Sequence, residues 1–291
     1  DTDFSGPFCF MMDFMMLGVG VGADTKGVDK VKLRKPKIGT YTFIVEDSRE
    51  GWVDLIRTIL DGYVGMAVHP TEIDYSKIRA AGTPIRGFGG TSSGPGPLQE
   101  LADNIRGVLD PLVGGSMTST TIVDVFNLIG RCVVAGNTRR SAELILGDPQ
   151  DTEFLQLKDP IRFKKELMHH RCFSNNSVLA TVGMDYKALA EQTAKNGEPG
   201  YVWLENARQR GRMADPTVEQ DIHVGGCNPC GEQFLQSKEC CCLVECFPTN
   251  HNSVEEWKRT LKFAYLYGKT ITLLPTHDEG TNAVQLRNRR L

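Results

Sequence analysis

The sequence predicts an α/β fold in which most strands run parallel. Short segments rich in β-branched and aromatic residues alternate with segments of helical periodicity along almost the whole chain. The length of 291 residues is enough to bury a sizeable core in one large domain or two smaller ones. Strands joined through helices form right-handed crossovers, so the carboxyl ends of the strands meet on one face, where sites usually form.

The elements follow from local signals, taken in chain order. Apolar periodicity places the end of one helix at 11–17 and further helices at 51–60, 97–109, 119–133, 185–195 and 254–267. β-branched or small residues place strands at 18–23, 41–46, 177–182, 201–204, 241–247 and 269–274. Ser48 is the expected N-cap of the second helix. We expect loops at 82–97 and 224–231, and either a turn or a site-facing segment at 174–177.

Composition excludes several classes of partner. The formal net charge of −3 leaves no global basic field, so we expect no direct nucleic-acid contact. The apolar run at 8–21 is interrupted by Asp13 and by glycines and is too short to span a membrane. No basic leader precedes it, as a signal peptide would require. The chain starts at Asp1 rather than at Met, and we expect it to be an internal fragment of a longer protein.

The cysteines point to thiol chemistry in one segment. Nine cysteines are too few for a disulfide scaffold, yet six fall within twenty residues, namely Cys227, Cys230, Cys240, Cys241, Cys242 and Cys246. Such a cluster fits a zinc knuckle, an inert buried group, or redox or radical chemistry. Three consecutive cysteines cannot all face one metal ion, and we therefore predict no metal site. Thiols of this kind stay reduced in the cytosol, which is the expected compartment.

Cys230 has the most informative neighbours in this cluster. Pro229 and Gly231 force a tight loop around it. Asn228 and Glu232 lie two residues away on either side, and in an extended loop tip such positions project to the same side. An amide can bind a substrate hydroxyl, a carboxylate can take its proton, and a thiol can exchange a hydrogen atom or act as a nucleophile.

The segment NPCGE, residues 228–232, resembles the finger-loop motif of ribonucleotide reductases. ECCCLVECFP, residues 239–248, is similar to the strand that follows this loop in the adenosylcobalamin-dependent, triphosphate-reducing branch. Five other segments resemble that branch in the same order, at 8–27, 74–98, 127–147, 174–180 and 273–290. The resemblance implies part of a ten-stranded α/β barrel with a finger loop at about 224–236. Residues 1–291 would then belong to one catalytic barrel domain, with 1–223 as the remainder of its first half and 237–291 as the start of its second.

The resemblance also implies roles for individual residues. Cys230 would be the thiyl radical that abstracts the 3′ hydrogen of the substrate, Glu232 would deprotonate the 3′ hydroxyl, and Asn228 would bind the ribose hydroxyls. Cys241 would be one member of the reducing cysteine pair, with its partner upstream of this chain. Gly20 would let the substrate lie against the backbone, although close packing of strands explains it equally well.

Two further segments, 88–97 and 135–143, resemble the loops that link an allosteric deoxynucleotide to the substrate base. The residues carried over are Gly89, Gly90, Thr91, Ser92 and Ser93 in the first loop and Asn137, Arg139 and Arg140 in the second. Backbone amides can cradle phosphates, and arginines can reach a phosphate or a base. His169, His170 and His223 show no ligand spacing with another histidine or a carboxylate, and we predict no special role for them.

The expected function is that of an adenosylcobalamin-dependent ribonucleoside-triphosphate reductase of the cytoplasm. Its partners would be ribonucleoside triphosphates, a deoxynucleotide effector, and thioredoxin or a similar dithiol reductant. The cobalamin contacts are expected outside this fragment, which should be inactive by itself. Two alternatives are a diphosphate reductase with another radical source and a non-catalytic, cysteine-rich zinc-binding module.

Overall fold

The computed structural model describes residues 3–87, 89–136, 142–210 and 221–288. They form two compact units, Asp1–Trp203 and Leu204–Leu291. The helices of the first unit are α1 (Gly6–Met16), α2 (Arg49–Gly62), α3 (Gly96–Leu109), α4 (Ser119–Val134), α5 (Thr152–Gln156), α6 (Lys164–His169) and α7 (Lys187–Asn196). Its strands are β1 (Val21–Asp24), β2 (Thr42–Ile44), β3 (Glu72–Asp74), β4 (Glu143–Gly147), β5 (Ser174–Leu179) and β6 (Gly200–Val202).

The central sheet of the first unit has four strands in the order β1-β4-β5-β6, and all its neighbours are parallel. β2 and β3 form a separate parallel pair. The predicted α/β class with mostly parallel strands is therefore confirmed. Among the residues described, no helix is long and apolar enough to cross a membrane.

Helix α4 lies at the centre of the first unit. It packs against α1 and α3, and all but three of its residues are buried. The rings of Phe8 and Phe126 meet with centroids 4.6 Å apart where α1 crosses it. Cys9 of α1 is buried. A helix that buries almost every face has to satisfy its few polar side chains inside the protein.

The second unit contains α8 (Leu204–Arg210), a short antiparallel hairpin of β7 (Gly226–Cys227) and β8 (Phe234–Leu235), α9 (Val254–Ile271) and α10 (Glu279–Asn288). Short 3-10 turns lie at Asp110–Leu112 and Arg171–Phe173 in the first unit and at Pro248–Asn250 in the second. The Ser253 hydroxyl caps α9 by accepting a hydrogen bond from the Glu256 amide at 3.1 Å. Ser48 caps α2 in the same way through the Gly51 amide at 3.0 Å, which confirms that prediction.

Two local predictions are wrong, and one of two alternatives for a third segment is excluded. Residues 241–247 form no strand, because a strand needs a partner and none of the described residues pairs with this segment. The strand predicted at 269–274 is the end of α9 and the turn after it, since the helix propagates through Ile271 despite two β-branched threonines. Residues 174–177 are not a turn, because β5 already begins at Ser174.

The polar start of β5 is explained by helix α4. The Asn127 carboxamide donates to the Ser174 hydroxyl at 3.0 Å and accepts from the Ser174 backbone amide at 2.9 Å. The Ser174 hydroxyl in turn donates to the Asn176 side chain at 2.8 Å. These bonds satisfy buried polar groups that would otherwise oppose strand formation.

Glu143 at the start of β4 is the most unusual buried group of the first unit. Its side chain is almost fully buried, and neither carboxylate oxygen has a hydrogen-bond partner among the described residues. Burial raises the pKa of Glu143 from its ordinary value of 4.5 to about 8. The carboxyl lies against Gly130 of α4, where a Cβ atom would come within 1.5 Å of Oε1. The structure therefore holds this acid in its neutral form at neutral pH.

The first prediction concerns two helical glycines with opposite surroundings. A Cβ atom on Gly62 at the end of α2 would lie 2.2 Å from the buried ring of His69, whose Nε2 is bonded to the Ile59 carbonyl. A Cβ atom on Gly107 in α3 would meet nothing within 4 Å. We expect Gly62→Ala to destabilise the protein by about 1–3 kcal/mol through overpacking. Gly107→Ala should stabilise it by about 0.5–1 kcal/mol, because alanine lowers the backbone entropy of the unfolded chain. Chemical denaturation measures the free energy of unfolding of both variants. Equal effects at the two positions would contradict the packing of His69 against α2.

The second prediction concerns the pH dependence of stability. Between the ordinary pKa of 4.5 and the folded pKa of about 8, the folded state holds a proton on Glu143 that the unfolded chain has lost. Stability contributed by this group therefore falls as pH rises through that window. Glu143→Gln removes the ionisable group, so its stability relative to the parent should increase with pH, by at most about 1.4 kcal/mol per unit. Denaturation curves between pH 5 and 8 test this, with the exposed Glu191→Gln as the control that should follow the parent. A constant difference across that range would mean that Glu143 is not kept neutral.

Candidate active site

The candidate site is built on the hairpin of β7 and β8. The Asn228 amide donates to the Gln233 carbonyl at 3.0 Å, and the Gly231 amide donates to the Asn228 carbonyl at 3.0 Å. The second bond closes a tight turn at 228–231, in which Gly231 has a left-handed φ of +83° that favours glycine. Pro229 fits this turn because its ring fixes φ and it needs no amide partner. The tight loop predicted around Cys230 is present.

The Asn228 side chain connects the groups of this site. It is buried, and its Nδ2 donates to Glu232 Oε1 at 2.6 Å. The same nitrogen lies 3.8 Å from Cys241 Sγ, within the range of a weak hydrogen bond to sulfur. Its Oδ1 accepts from the Gln233 backbone amide at 3.1 Å. One carboxamide therefore joins the hairpin, an acid and a thiol thirteen residues away.

The thiols of the site differ in exposure and in acidity. Cys230 is exposed at the tip of the turn, whereas Cys227 is buried at the base of the hairpin. Burial, with the nearby Glu232 carboxylate, raises the pKa of Cys227 to about 11. The same two causes raise the pKa of Cys241. Cys227 and Cys241 are therefore protonated at neutral pH, which suits them as hydrogen donors better than as thiolate nucleophiles.

Cys241 is held in place by the segment before it and by α10. The Cys240 amide donates to Gln285 Oε1 at 3.2 Å, and Lys238 forms an ion pair with Asp278 at 3.2 Å. The Gln236 amide donates to the Glu239 carboxylate at 2.7 Å, which closes the turn after β8. These contacts position Cys241 beside Asn228 although its segment belongs to no sheet.

The described part of the chain contains no group of three or more His, Cys, Asp or Glu side chains placed to hold a metal ion. The six clustered cysteines spread over the hairpin and the segment after it. All nine cysteines of the chain are free thiols.

The other predicted site residues lie in the first unit. Gly20 is exposed and immediately precedes β1. At the first candidate effector loop, Ser92 N donates to the Thr83 carbonyl (2.8 Å) and Ile85 N donates to the Gly90 carbonyl (2.9 Å). The predicted residues of that loop, Gly89, Gly90, Thr91, Ser92 and Ser93, lie within or directly after these backbone hydrogen bonds.

The two candidate effector loops meet in the structure. Gly136 has a φ of +82°, and a Cβ atom placed on it would lie 3.1 Å from Cβ of Ser93. The second loop therefore starts in close contact with the end of the first. Asn137, Arg139 and Arg140 lie outside the described residues.

One group of functional interest escaped the sequence analysis. His170 Nε2 lies 2.8 Å from the buried carboxylate of Asp124, which also binds Arg171 through two nitrogens at 2.7 and 2.8 Å. The sequence showed no spacing between His170 and a carboxylate, and the structure supplies this partner from a distant helix. Asp124 and His170 are 46 residues apart in sequence, and no local motif marks such a pair.

Comparisons with known proteins agree on one family. Residues 19–109 match the family model described as "B12-dependent ribonucleotide reductase, insertion domain". This range includes the β2–β3 pair and α2, which the sequence analysis did not set apart from the rest of the first half-barrel.

Relatives that are similar in sequence are named as reductases. The chain is 45% identical over 99% of its length to a probable adenosylcobalamin-dependent ribonucleoside-triphosphate reductase of Dictyostelium discoideum, of which it covers 40%. It is 46% identical over its whole length to the adenosylcobalamin-dependent ribonucleoside-triphosphate reductase of Euglena gracilis, of which it also covers 40%. The chain thus spans about two fifths of the length of these curated relatives.

A solved structure agrees with the sequence relatives. The crystal structure of a B12-dependent (class II) ribonucleotide reductase superposes with a TM-score of 0.81 at 32% identity, covering 99% of this chain and 45% of that one. The match covers 99% of this chain and therefore includes residues of both units.

The third prediction tests the role of the Asn228 carboxamide. Asn228→Ala removes two side-chain hydrogen bonds of the hairpin and leaves the Gln233 amide without its side-chain acceptor. Loss of such buried bonds should cost about 1–3 kcal/mol, measured by chemical denaturation of the 291-residue chain. It should also speed hydrogen exchange at the Gln233 amide. Asn250→Ala, at an exposed asparagine, is the control and should change neither quantity. Unchanged exchange at Gln233 in the Asn228 variant would contradict the geometry described here.

Proposed function

The chain belongs to the B12-dependent ribonucleotide reductase family, and on this premise we propose that it carries the thiol chemistry of a ribonucleoside-triphosphate reductase. The reaction is the thiyl-radical reduction of ribonucleoside triphosphates to 2′-deoxyribonucleotides for DNA synthesis. The observation that carries this proposal is the Asn228 carboxamide, which binds Glu232 and Cys241 at the base of the turn that exposes Cys230.

Each residue of the hairpin has a chemical task in this proposal. Cys230, as a thiyl radical, takes the hydrogen atom from C3′ of the ribose and returns it at the end of the reaction. Glu232 takes the proton of the 3′ hydroxyl, because its carboxylate follows the exposed turn directly and is bound to Asn228 within the hairpin. Asn228 holds Glu232 in position and offers its amide to the ribose hydroxyls.

The net reduction needs two electrons and two protons. Cys241 and a second thiol, for which no residue of this chain is assigned, supply them and become a disulfide while the 2′ hydroxyl leaves as water. The raised pKa of Cys241 supports this role, because a protonated thiol carries the hydrogen that the reaction consumes. A dithiol protein such as thioredoxin then reduces the disulfide by thiol–disulfide exchange.

We propose adenosylcobalamin as the cofactor, as the names of the relatives state for them. The exposed sulfur of Cys230 fits a radical source that approaches from outside the hairpin. When bound, adenosylcobalamin supplies the radical that removes the hydrogen atom of the Cys230 thiol. We assign no residue of this chain to its binding.

The remaining assignments belong to the same proposal. Gly20 contacts the substrate, and the loops at 88–97 and 135–143, with Arg139 and Arg140, bind a deoxynucleotide effector and pass its identity to the substrate base. Residues 1–223, 224–236 and 237–291 are successive parts of one catalytic barrel. Nine free thiols support a cytoplasmic location, where cysteines stay reduced.

The fourth prediction is that Cys230→Ser abolishes nucleotide reduction. A serine hydroxyl does not form the radical that the C3′ hydrogen abstraction requires, so turnover should fall at least a thousandfold, on the order of the loss from removing a nucleophile. The assay is conversion of ribonucleoside triphosphates by the complete gene product with adenosylcobalamin and a dithiol, followed by chromatography of the deoxynucleotides.

The control for this experiment is Cys172→Ser, which changes an exposed cysteine of the first unit and should keep full activity. Reduction that survives in the Cys230 variant would refute the radical role. Reduction of diphosphates but not triphosphates would identify the other reductase class, and one tightly bound zinc ion per chain without turnover would identify a zinc-binding module.

A further inference from the structure

A continuous chain of polar side chains joins α3, α4 and the segment that precedes β5. At its outer end, the Glu100 carboxylate of α3 binds Arg131 of α4 at 2.8 Å. Arg131 also contacts Nε2 of His169. Nδ1 of His169 lies 3.0 Å from Nδ1 of His170, whose Nε2 lies 2.8 Å from Asp124.

One arrangement of protons satisfies the contact between Arg131 and His169. Arginine can only donate, so with this contact Nε2 of His169 accepts and the hydrogen of His169 is on Nδ1. The Glu100 carboxylate lies 3.5 Å from the same nitrogen but binds Arg131 more closely, at 2.8 Å. Nδ1 of His170 must accept that hydrogen, which leaves the hydrogen of His170 on Nε2, facing Asp124. Burial and the neighbouring Arg131 cation lower the pKa of His169, which keeps its ring neutral as this arrangement requires.

The inner end of this chain is fixed. Asp124 is buried and paired with Arg171, whose Nη1 donates to the Leu157 carbonyl at 2.9 Å. The guanidinium of Arg171 also lies 4.9 Å from the ring centre of Phe163. The outer end is different, because half of the Glu100 side chain is exposed. An exposed ion pair contributes little to stability, about 0–1 kcal/mol. The role of the Glu100–Arg131 pair is therefore to orient the two helices that carry it.

The Glu100–Arg131 pair at the outer end lies between the two candidate effector loops. Glu100 lies in the second turn of α3, just after the first candidate effector loop at 88–97. Arg131 lies in the last turn of α4, just before the second loop at 135–143. Between them the loops touch at Ser93 and Gly136, where Gly136 has no side chain to lock the contact. The Glu100–Arg131 ion pair therefore fixes the distance between the start of α3 and the end of α4, from which the two loops extend.

We propose that Glu100, Arg131 and His169 are positioning residues that keep the two effector loops in register, so that the effector bound at the first loop determines which substrate is accepted beside the second. This inference rests on the proposed function. Asp124 and Arg171 anchor the group in the core, and His170 connects the anchor to the pair at the surface.

The test compares Glu100→Gln with Asp103→Asn in the complete gene product. Both replace an acid by its amide on α3, but Asp103 is exposed and its ion pair with Arg106 is long, at 3.6 Å. The readout is the ratio of kcat/KM for two ribonucleoside triphosphates, with and without a deoxynucleotide effector. The effector-induced change in this ratio should shrink at least about fivefold in Glu100→Gln, the lower end of typical coupling between sites, and stay at the parent value in Asp103→Asn.

Two further variants separate positioning from general damage. Arg131→Gln should lose the same coupling, and the double variant with Glu100→Gln should lose no more than the worse single variant, because the residues act as a unit. His169→Gln keeps an acceptor near the position of Nε2 and should retain more coupling than His169→Leu. Full effector response in Glu100→Gln and Arg131→Gln would overturn the inference.

A measurement without turnover keeps this inference independent of the proposed function. Hydrogen exchange of the amides at 92–94 and 134–136 in the 291-residue chain should be faster in Glu100→Gln than in the parent and unchanged in Asp103→Asn. Equal exchange in all three proteins would refute the positioning role even if the protein is a reductase. Faster exchange without any nucleotide reduction would instead refute only the proposed function.

Discussion

The Asn228 carboxamide is buried, and a buried amide is stable only when its donors and its acceptor are satisfied. Its oxygen accepts from the hairpin backbone, and its nitrogen contacts Glu232 and Cys241. The same carboxamide therefore contacts the loop, the acid and the second thiol and positions all three. A carboxylate at this position would repel Glu232, and an aliphatic side chain would leave the Gln233 amide unsatisfied. The chemistry proposed for the hairpin depends on this one side chain.

The first unit relies on a comparable device along helix α4. Asp124, Asn127 and Arg131 are spaced by three and four residues and so share one face of a helix whose other residues after Thr121 are apolar. Asp124 binds Arg171, Asn127 fixes the start of β5 and Arg131 reaches α3. This polar stripe determines where β5 begins and joins the elements that carry the two candidate effector loops. The apolar remainder of the helix supplies the packing energy.

Local signals in the sequence predict α2, α3, α4, α7 and α9 well, because caps and apolar periodicity lie within each segment, as at Ser48 and in α4. They did not predict α5, α6, α8 and α10. Strands are harder, because they depend on partners that a local pattern does not contain. Residues 241–247 look like a strand and pair with none of the described residues, whereas the polar start of β5 looks like a turn and is ordered by Asn127. The hairpin with Asn228, Cys230 and Glu232 could be predicted because its residues are adjacent in sequence. The contact of Asp124 with His170 joins residues 46 apart and has no local signature.

The central claim is that Cys230 becomes a sulfur radical while Asn228 holds Glu232 and Cys241 beside the turn. Rapid-freeze electron paramagnetic resonance of the complete gene product, mixed with adenosylcobalamin and an effector, tests it most directly. The account predicts a radical signal whose lines narrow when the cysteines carry deuterium at Cβ. The hyperfine coupling of the unpaired electron to deuterium is weaker than its coupling to hydrogen. A signal indifferent to cysteine deuteration, or the absence of any signal in a protein that still reduces ribonucleotides, would contradict it.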